Sequence, residues 1–337
     1  MRTRVATLVL FTFVTVASGG WGPRGHSVAN RAAVDAIPAD GPVFLKDYRD
    51  WIGHTGPVPD SWRGIGEPYS KIFEDPNHGW FREQFAFMTV IPRNRYEFVL
   101  RLYDEYQRLR TVDPDRAALT NVRWTGTLPY AAMENYDRMK AAMRAYRNTP
   151  ASAPEREFLA RDIAFYMGWL GHYTADGAQP LHDTIHHDGW QGPNPKNYSR
   201  DPAIHGRFET RFVELIQLTE SDIAAQVPVA KRLGDPFAAI LAHLDDAAMH
   251  VEEVYQMDAR AAFASPDDQA RTLVTRQLSR AAGLLRDLTY TAWIESAMPP
   301  PAPGTVSNPI VRTHPAYNPE TGTAPPPVPA TTPSGAR

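Results

Sequence analysis

The amino-acid sequence predicts an all-α fold, a single multi-helix domain interrupted by long loops. Apolar residues recur at helical spacing, as in residues 94–110, where Phe98, Leu102 and Leu109 form one stripe opposite charged residues. No stretch alternates apolar and polar residues over the length of a strand, and no hairpin signal lies between apolar runs. Hydrophobic residues make up 43% of the 337 residues, which is enough for a packed core.

Six helices follow from this spacing in chain order. One of them opens with Asp235 as its N-cap and Pro236 in its first turn, and its histidines, His243 and His250, are expected on the surface. The last helix is expected to bury Leu278, Ala281, Ala282, Leu285, Leu288 and Ala292. The predicted helices cover residues 24–36, 94–110, 129–147, 155–175, 236–257 and 267–296.

Two long segments rich in Gly, Pro and Asp, residues 53–80 and 183–203, interrupt the helices. Irregular segments of this length inside a domain are usually functional. Residues 299–337 hold 12 of the 31 prolines and almost no large apolar residues, which predicts a disordered tail. The predicted domain therefore spans residues 21–298.

Residues 1–20 have the pattern of a secretory signal peptide, with two arginines, an apolar run and small residues before a cleavage site. The apolar run is shorter than the ~20 residues that a membrane-spanning helix needs. We therefore expect a secreted or periplasmic protein without a stable membrane anchor, whose mature chain begins at Trp21. Nothing in the sequence indicates a protein partner.

Charge and cysteine content exclude several classes of function. The formal net charge is −3, and removal of residues 1–20 leaves 33 basic and 38 acidic residues, a net charge of −5. This charge argues against a basic surface that coats nucleic acid without sequence preference. The chain has no cysteine, which excludes disulfides, thiolate zinc sites and a cysteine nucleophile.

Two histidine–carboxylate pairs stand at helical spacing. His172 and Asp176 are four residues apart, as are His205 and Glu209, so each pair shares one helix face. His182 follows the first pair after a turn that runs from Gly177 to Pro180. Imidazole and carboxylate donors without a thiol suit zinc at a catalytic site. The two long loops and these pairs together predict a metal centre.

The predicted mature N-terminus adds a further donor set. The amine and carbonyl of Trp21 can chelate one ion in a five-membered ring, and His26 follows after one helical turn. With these residues the chain resembles the superfamily of S1/P1-type nucleases and bacterial zinc-dependent phospholipases C. The motifs that carry the resemblance are Trp21-Gly22…Gly25-His26, Gly171-His172…Asp176…Gln179-Pro180-Leu181-His182 and His205…Glu209.

The resemblance implies a cluster of three zinc ions. In the implied arrangement one ion is chelated by the N-terminal residue, a carboxylate bridges it to a second ion, and the third ion lies apart. The implied ligands are Trp21 and His26 for the first ion, Asp60, His78, His172 and the bridging Asp176 for the second, and His182, His205 and Glu209 for the third. Residues 186–188, His-His-Asp, are expected at a solvated loop edge or in a supporting role.

Two of these ligands come from the first long loop, where alternatives stay open. Asp60 is favoured because Arg63 follows it by three residues, as in the family's motif, and His78 resembles the family's later loop histidine. Asp75 is the alternative to Asp60, and His54 is the alternative to His78. The resemblance implies that Asp60 orients or deprotonates the attacking water and that Arg63 contacts phosphoryl oxygens.

The resemblance also implies a zinc-dependent hydrolase that cleaves phosphate esters with a metal-activated water. Single-stranded nucleic acid or a nucleotide is the favoured substrate, because the long interval between His182 and His205 resembles the nuclease branch. A phospholipid is the alternative, because Glu209 stands where the nucleases usually carry aspartate. A third hypothesis is a secreted helical protein that binds zinc without catalysis.

Overall fold

Helices make up most of residues 21–299, the part of the chain that the computed structural model describes. The all-α prediction is therefore confirmed. Within these residues, the single bridge between extended segments joins Trp80 to Gly126, and no helix is both long and apolar enough to cross a bilayer. The predicted signal peptide and the proline-rich tail from residue 300 onward lie outside the described residues.

The helices are numbered in chain order. The α-helices of the first half are α1 (Gly22–Asp35), α2 (Arg49–Thr55), α3 (Val58–Ser61), α4 (Pro68–Glu74), α5 (Arg95–Leu109), α6 (Pro114–Leu119), α7 (Val122–Thr125) and α8 (Leu128–Asn148). Those of the second half are α9 (Glu155–Asp176), α10 (Ile204–Gly206), α11 (Val213–Leu215), α12 (Glu220–Ala224), α13 (Pro236–Ala248), α14 (Val251–Ala259) and α15 (Asp268–Ser296). Short 3-10 helices cover Val43–Tyr48, Asp75–His78, Arg82–Phe85 and Pro180–Asp183, and a π-helical segment covers Arg207–Phe212.

The core forms where α1, α8, α9 and α15 pack against one another. All six residues that the sequence predicts on the inner face of α15 are buried. The Asn94 side chain accepts a hydrogen bond from the backbone N–H of Glu97 (2.8 Å), and Asp267 accepts one from Ala270 (2.9 Å). These caps satisfy first-turn donors, which is why the starts of α5 and α15 follow from the sequence.

Two glycines of α9 allow its neighbours to approach closely. A Cβ at Gly171 would lie 1.9 Å from Oδ1 of Asn30 in α1, and one at Gly168 would lie 2.6 Å from Cβ of Thr55 in α2. The amide of Asn30 donates to the carbonyls of Ile52 and Gly168, both at 3.0 Å. This buried amide therefore joins α1, α2 and α9, the three helices that border the candidate site.

The first long segment is more ordered than expected. Residues 53–80 contain α3, α4 and a 3-10 helix rather than one irregular loop. Proline occupies the first turn of each of these short helices, where its fixed φ favours the helix and its missing N–H costs nothing. The second segment, residues 183–203, is irregular as predicted.

The predicted helix over residues 236–257 is divided in two. Helix α13 ends at Ala248, and α14 begins at Val251. The backbone N–H of His250 donates to the carbonyl of Ala247 (3.0 Å), which tightens the last turn. The His250 side chain lies 2.8 Å from Glu253 at the start of α14. This contact lies in the first turn of the second helix.

His243 is buried, and the prediction that it lies on the surface was wrong. Its Nε2 donates to the carbonyl of Thr174 in α9 (2.9 Å). Burial lowers the pKa of His243 to about 4, whereas an unfolded histidine titrates at about 6.5. As the pH falls from about 6.5 to 4, the unfolded state binds the proton first, so the free energy of unfolding decreases by about 3 kcal/mol from this residue.

We expect His243→Gln to reduce this loss of stability in acid, because glutamine can donate to Thr174 without titrating. The measurement is the melting temperature at a series of pH values for wild type and variant. The exposed His54→Gln is the matched control and is expected to keep the wild-type slope. Parallel slopes for wild type and His243→Gln would show that His243 does not control the acid response.

Candidate metal centre

Three groups of histidine and carboxylate side chains lie within metal-binding distance in the interior of the molecule. In each group the candidate ligand atoms all lie within 4.8 Å of one another. The groups are His26, Asp60 and His172; His78, His172 and Asp176; and His182, His205 and Glu209. These buried His, Asp and Glu residues form a candidate metal centre between α1, the first loop, α9 and the segment that begins at residue 204.

Asp176, the last residue of α9, lies at the junction of the first two groups. Its Oδ2 is 2.9 Å from Nδ1 of His78 and 3.0 Å from Nε2 of His172. Its Oδ1 is 3.5 Å from Nε2 of His26, and Nδ1 of His182 is 3.7 Å from Oδ2. The two oxygens of one fully buried carboxylate therefore face different histidines, which is the arrangement that a bridging ligand requires.

The polar atoms at the centre fit a metal better than they fit one another. Among the described residues, neither ring nitrogen of His26 and neither oxygen of Asp60 has a hydrogen-bond partner, although all four atoms are buried. Buried polar groups without a partner are costly in a folded protein. The ring of His26 stacks on that of His172 at 4.2 Å, so their nitrogens face the same space. Nitrogen and oxygen donors of this kind suit zinc.

The third group lies across an irregular helix. His205 belongs to α10 and Glu209 to the π-helical segment that follows, and Nε2 of His205 is 2.8 Å from Oε2 of Glu209. Nε2 of His182 lies 3.5 Å from the same oxygen, and Gln179 donates to it at 3.0 Å. Such π-helical turns often occur at functional sites, and here the turn carries the carboxylate inward.

The electrostatic balance of the metal-free protein reflects the same carboxylates. Burial acts to lower the pKa of His172, but the charges of Asp176 and Asp60 outweigh it and raise that pKa to about 9. Burial likewise acts against His205, and Glu209 raises the pKa of His205 to about 10. Protonated histidines thus offset the buried acids when no cation does, and a cation that binds here must displace those protons.

The structure separates the alternatives in the first loop. Oδ1 of Asp60 lies 3.7 Å from Nδ1 of His78, and both residues belong to the groups above. Asp75 instead accepts hydrogen bonds from Arg63 and Lys71, at 3.2 and 3.1 Å. His54 is exposed on α2. Neither Asp75 nor His54 belongs to any of the metal-binding groups within the described chain.

Arg63 and Trp21 both lie next to this centre. The Nη1 atom of Arg63 is 3.5 Å from Oδ1 of Asp60, and 27% of the Arg63 side chain is exposed. The indole of Trp21 is fully buried and donates to the carbonyl of Ala175 (2.8 Å), the residue before Asp176. The start of α1 is therefore tied directly to the end of α9.

Each histidine bound to a metal usually donates its other nitrogen to an acceptor that orients the ring, and three of the five predicted histidines have such an acceptor. The backbone carbonyl of Gly56 lies 2.9 Å from Nδ1 of His172, and that of His78 lies 2.5 Å from Nδ1 of His182. The carboxylate of Asp188 serves the third, His205. Glu74 lies 3.4 Å from Nε2 of His78, which is ion-pair distance without a hydrogen bond.

Glu74 is a candidate supporting residue of the centre that the sequence analysis did not single out. Its Oε1 lies 3.4 Å from Nε2 of His78 and accepts a hydrogen bond from Tyr173 (2.6 Å), and Asn77 donates to Oε2 (3.1 Å). Burial acts to raise the pKa of Glu74, but the nearby His78 and the hydrogen bonds from Tyr173 and Asn77 lower it overall, so the carboxylate stays charged. The four-residue spacing between Glu74 and His78 was the signal available in the sequence.

We expect Glu74→Gln to weaken metal binding by about ten- to a hundredfold, as is typical when the carboxylate behind a metal-binding histidine is lost. Glutamine keeps the size of the side chain but removes the charge that favours the correct orientation of His78. The measurement is competition for zinc with a chromophoric chelator. Glu67→Gln, at an exposed carboxylate before α4, is the control. Equal zinc affinity in both variants would contradict the role of Glu74.

Comparison with known proteins does not identify a relative of this chain. No protein-family model matches the chain, and a search of curated proteins finds no match.

Proposed function

We propose that this protein is a secreted zinc-dependent phosphoesterase with three zinc ions, acting on single-stranded nucleic acid or nucleotides. The observation that carries the proposal is the position of Asp176. One of its oxygens faces His26 and the other faces His78 and His172, and His182 of the third donor group lies nearby. We assign Trp21 and His26 to one ion, and the other donors as the resemblance to the nuclease and phospholipase C superfamily implies. The zinc content of a protein extended by one residue before Trp21 tests that first assignment.

The charge of the site supports a phosphate substrate. Three Zn²⁺ ions with Asp60, Asp176 and Glu209 would leave a net charge of about +3 at one site of an acidic protein, which attracts an anion locally. Bound zinc would supply Lewis acidity and an activated water for hydrolysis. The protein's own residues would position the phosphate and accept the proton.

Asp60 and Arg63 are suited to those two tasks. Both oxygens of Asp60 lack a hydrogen-bond partner among the described residues, and burial raises the pKa of Asp60. This carboxylate is therefore able to orient a water and accept its proton. The Arg63 guanidinium lies beside it and is partly exposed, so it can donate hydrogen bonds to phosphoryl oxygens.

The test is a parallel assay of the purified, zinc-loaded protein on single-stranded DNA, RNA, nucleotide 3′-phosphates and phosphatidylcholine vesicles. We expect turnover of the nucleic acids, with loss of turnover in Asp60→Asn. Retained zinc without turnover of any phosphate ester would favour the third hypothesis, a zinc-binding protein without catalysis.

One observation favours phospholipid as a second candidate substrate. The segment after Arg63 exposes four large apolar side chains, Ile65 (93%), Tyr69 (91%), Ile72 (76%) and Phe73 (59%). Exposed apolar side chains grouped in one segment are typical of interaction sites, including contact with a lipid interface. If lipid is the substrate, Ile65→Ser with Ile72→Ser should reduce turnover of vesicles and leave turnover of a short soluble phosphodiester unchanged.

A further inference from the structure

A fourth cluster of donors lies outside the metal centre proposed above, on the loop that follows His182. His187, Asp188 and His205 place one ligand atom each within 4.8 Å of the others. Nδ1 of His187 is 3.1 Å from Oδ2 of Asp188, and Nδ1 of His205 is 3.0 Å from Oδ1. We propose that this outer group is an inhibitory site for a divalent cation of the zinc type.

The chemistry of the outer group suits a weakly bound zinc ion. Two imidazoles and one carboxylate are the donor types that zinc prefers, and water can complete the tetrahedron. The side chains of His187 and Asp188 are 28% and 53% exposed, so a cation reaches them from solvent. Affinity is expected to be lower than at the three groups of the metal centre, which offer as many donors but are more deeply buried.

The outer group is held in place by its surroundings. The ring of His187 stacks on Phe81 at 4.9 Å. Immediately after Asp188, Gly189 adopts a φ of 93°, and a Cβ there would lie 2.5 Å from the carbonyl oxygen of Arg200. Trp190 then packs on Tyr255 at 5.2 Å. The donors are therefore preorganised, which lowers the entropic cost of binding an ion.

His205 belongs to the outer group and also to the third group of the metal centre, with His182 and Glu209, which we call the inner group. One ring nitrogen faces each group. Its Nε2 faces Glu209 at 2.8 Å, and its Nδ1 faces Asp188 at 3.0 Å. An ion held by all three donors of the outer group coordinates Nδ1 of His205, which ends the hydrogen bond from that atom to Asp188. His205 thereby loses the hydrogen bond that orients Nε2 towards the inner group. Occupation of the outer group is therefore expected to misorient a ligand of the inner group while the inner ion stays bound.

The expected consequence is inhibition by excess zinc. The inhibition rests on the proposed function, because it is measured as turnover. The binding of an additional ion does not depend on the proposed function. Loss of the acceptor behind a metal-binding histidine typically costs about ten- to a hundredfold in metal affinity or activity. Turnover should fall by a comparable factor at the free zinc concentration that fills the outer group.

The test counts zinc bound by the full chain in equilibrium dialysis at a series of buffered free zinc concentrations. Wild type should bind one more zinc ion at high free zinc than His187→Ala. Asp188→Asn should lose the same ion while its remaining oxygen still accepts a hydrogen bond from His205. His250→Ala, which removes a surface histidine 2.8 Å from a single carboxylate, Glu253, is the matched control and should bind as wild type does.

Turnover measured over the same zinc series completes the test. Wild type should be inhibited as the additional ion binds, and His187→Ala should keep its activity at the same concentrations. Equal zinc counts in wild type, His187→Ala and Asp188→Asn at every concentration would overturn the outer site. If the counts differ but no phosphodiester is hydrolysed, the outer site stands and the proposed function fails.

Discussion

Replacing Asp176 with asparagine is expected to release more than one metal ion and to lower turnover by orders of magnitude. Asparagine keeps the shape of the side chain but removes its charge and one anionic oxygen. Two divalent cations at adjacent sites repel each other, and the carboxylate between them offsets that repulsion. Since the two oxygens of Asp176 face His26 on one side and His78 and His172 on the other, both of the ions that we propose there would depend on it.

The measurement for this variant is zinc per protein by elemental analysis, together with turnover on the best substrate of the parallel assay. Asp162→Asn, at an exposed carboxylate on the same helix, controls for changes in the stability of α9. His187→Ala is expected to be nearly silent at low free zinc. Full zinc content and near-normal turnover in Asp176→Asn would require a different set of ligands.

Removing the metal is expected to lower the melting temperature of the protein by about 10 °C or more. An ion held at a thousandfold above its dissociation constant contributes about 4 kcal/mol, and each 1 kcal/mol shifts the melting temperature of a large domain by about 2–4 °C. The effect should be large here because the chain has no disulfide to stabilise it and because the donors are buried acids and imidazoles.

Calorimetry before and after treatment with a chelator measures this change, and metal analysis verifies that the ions have left. Zinc should restore the melting temperature, whereas magnesium should not, because magnesium prefers oxygen donors in an octahedral arrangement. Asp176→Asn should respond much less to chelator, because it has lost ions already. An unchanged melting temperature after verified removal would mean that the metal does not stabilise the fold.

Local patterns in the sequence predicted the helices well and failed where helices end or change direction. The cap at Asn94 and the apolar stripe that follows are contained within a few residues, so α5 was predictable. The break after Ala248 was not, because the apolar pattern continues on both sides of it. The burial of His243 had a local signal, since Ile240 and Ala247 lie on the same face of α13.

Local spacing also determined the part of the candidate site that lies within single helical segments. His172 and Asp176 share a face of α9 because four residues make about one turn. The pair at His205 and Glu209 meets for the same reason, although Glu209 lies in a π-helical segment. These contacts do not depend on where the rest of the chain lies.

The tertiary structure decided which loop residues join those pairs. Asp60 and Asp75 both lie in the first long segment, and only the packing of α3 and α4 against α9 directs Asp60 inward and leaves Asp75 to Arg63. That packing depends on contacts between distant residues, such as the space that Gly171 leaves for Asn30. A short-range sequence pattern indicates which donors share a helix face. Which separate segments come together depends on how side chains fit one another across the whole core.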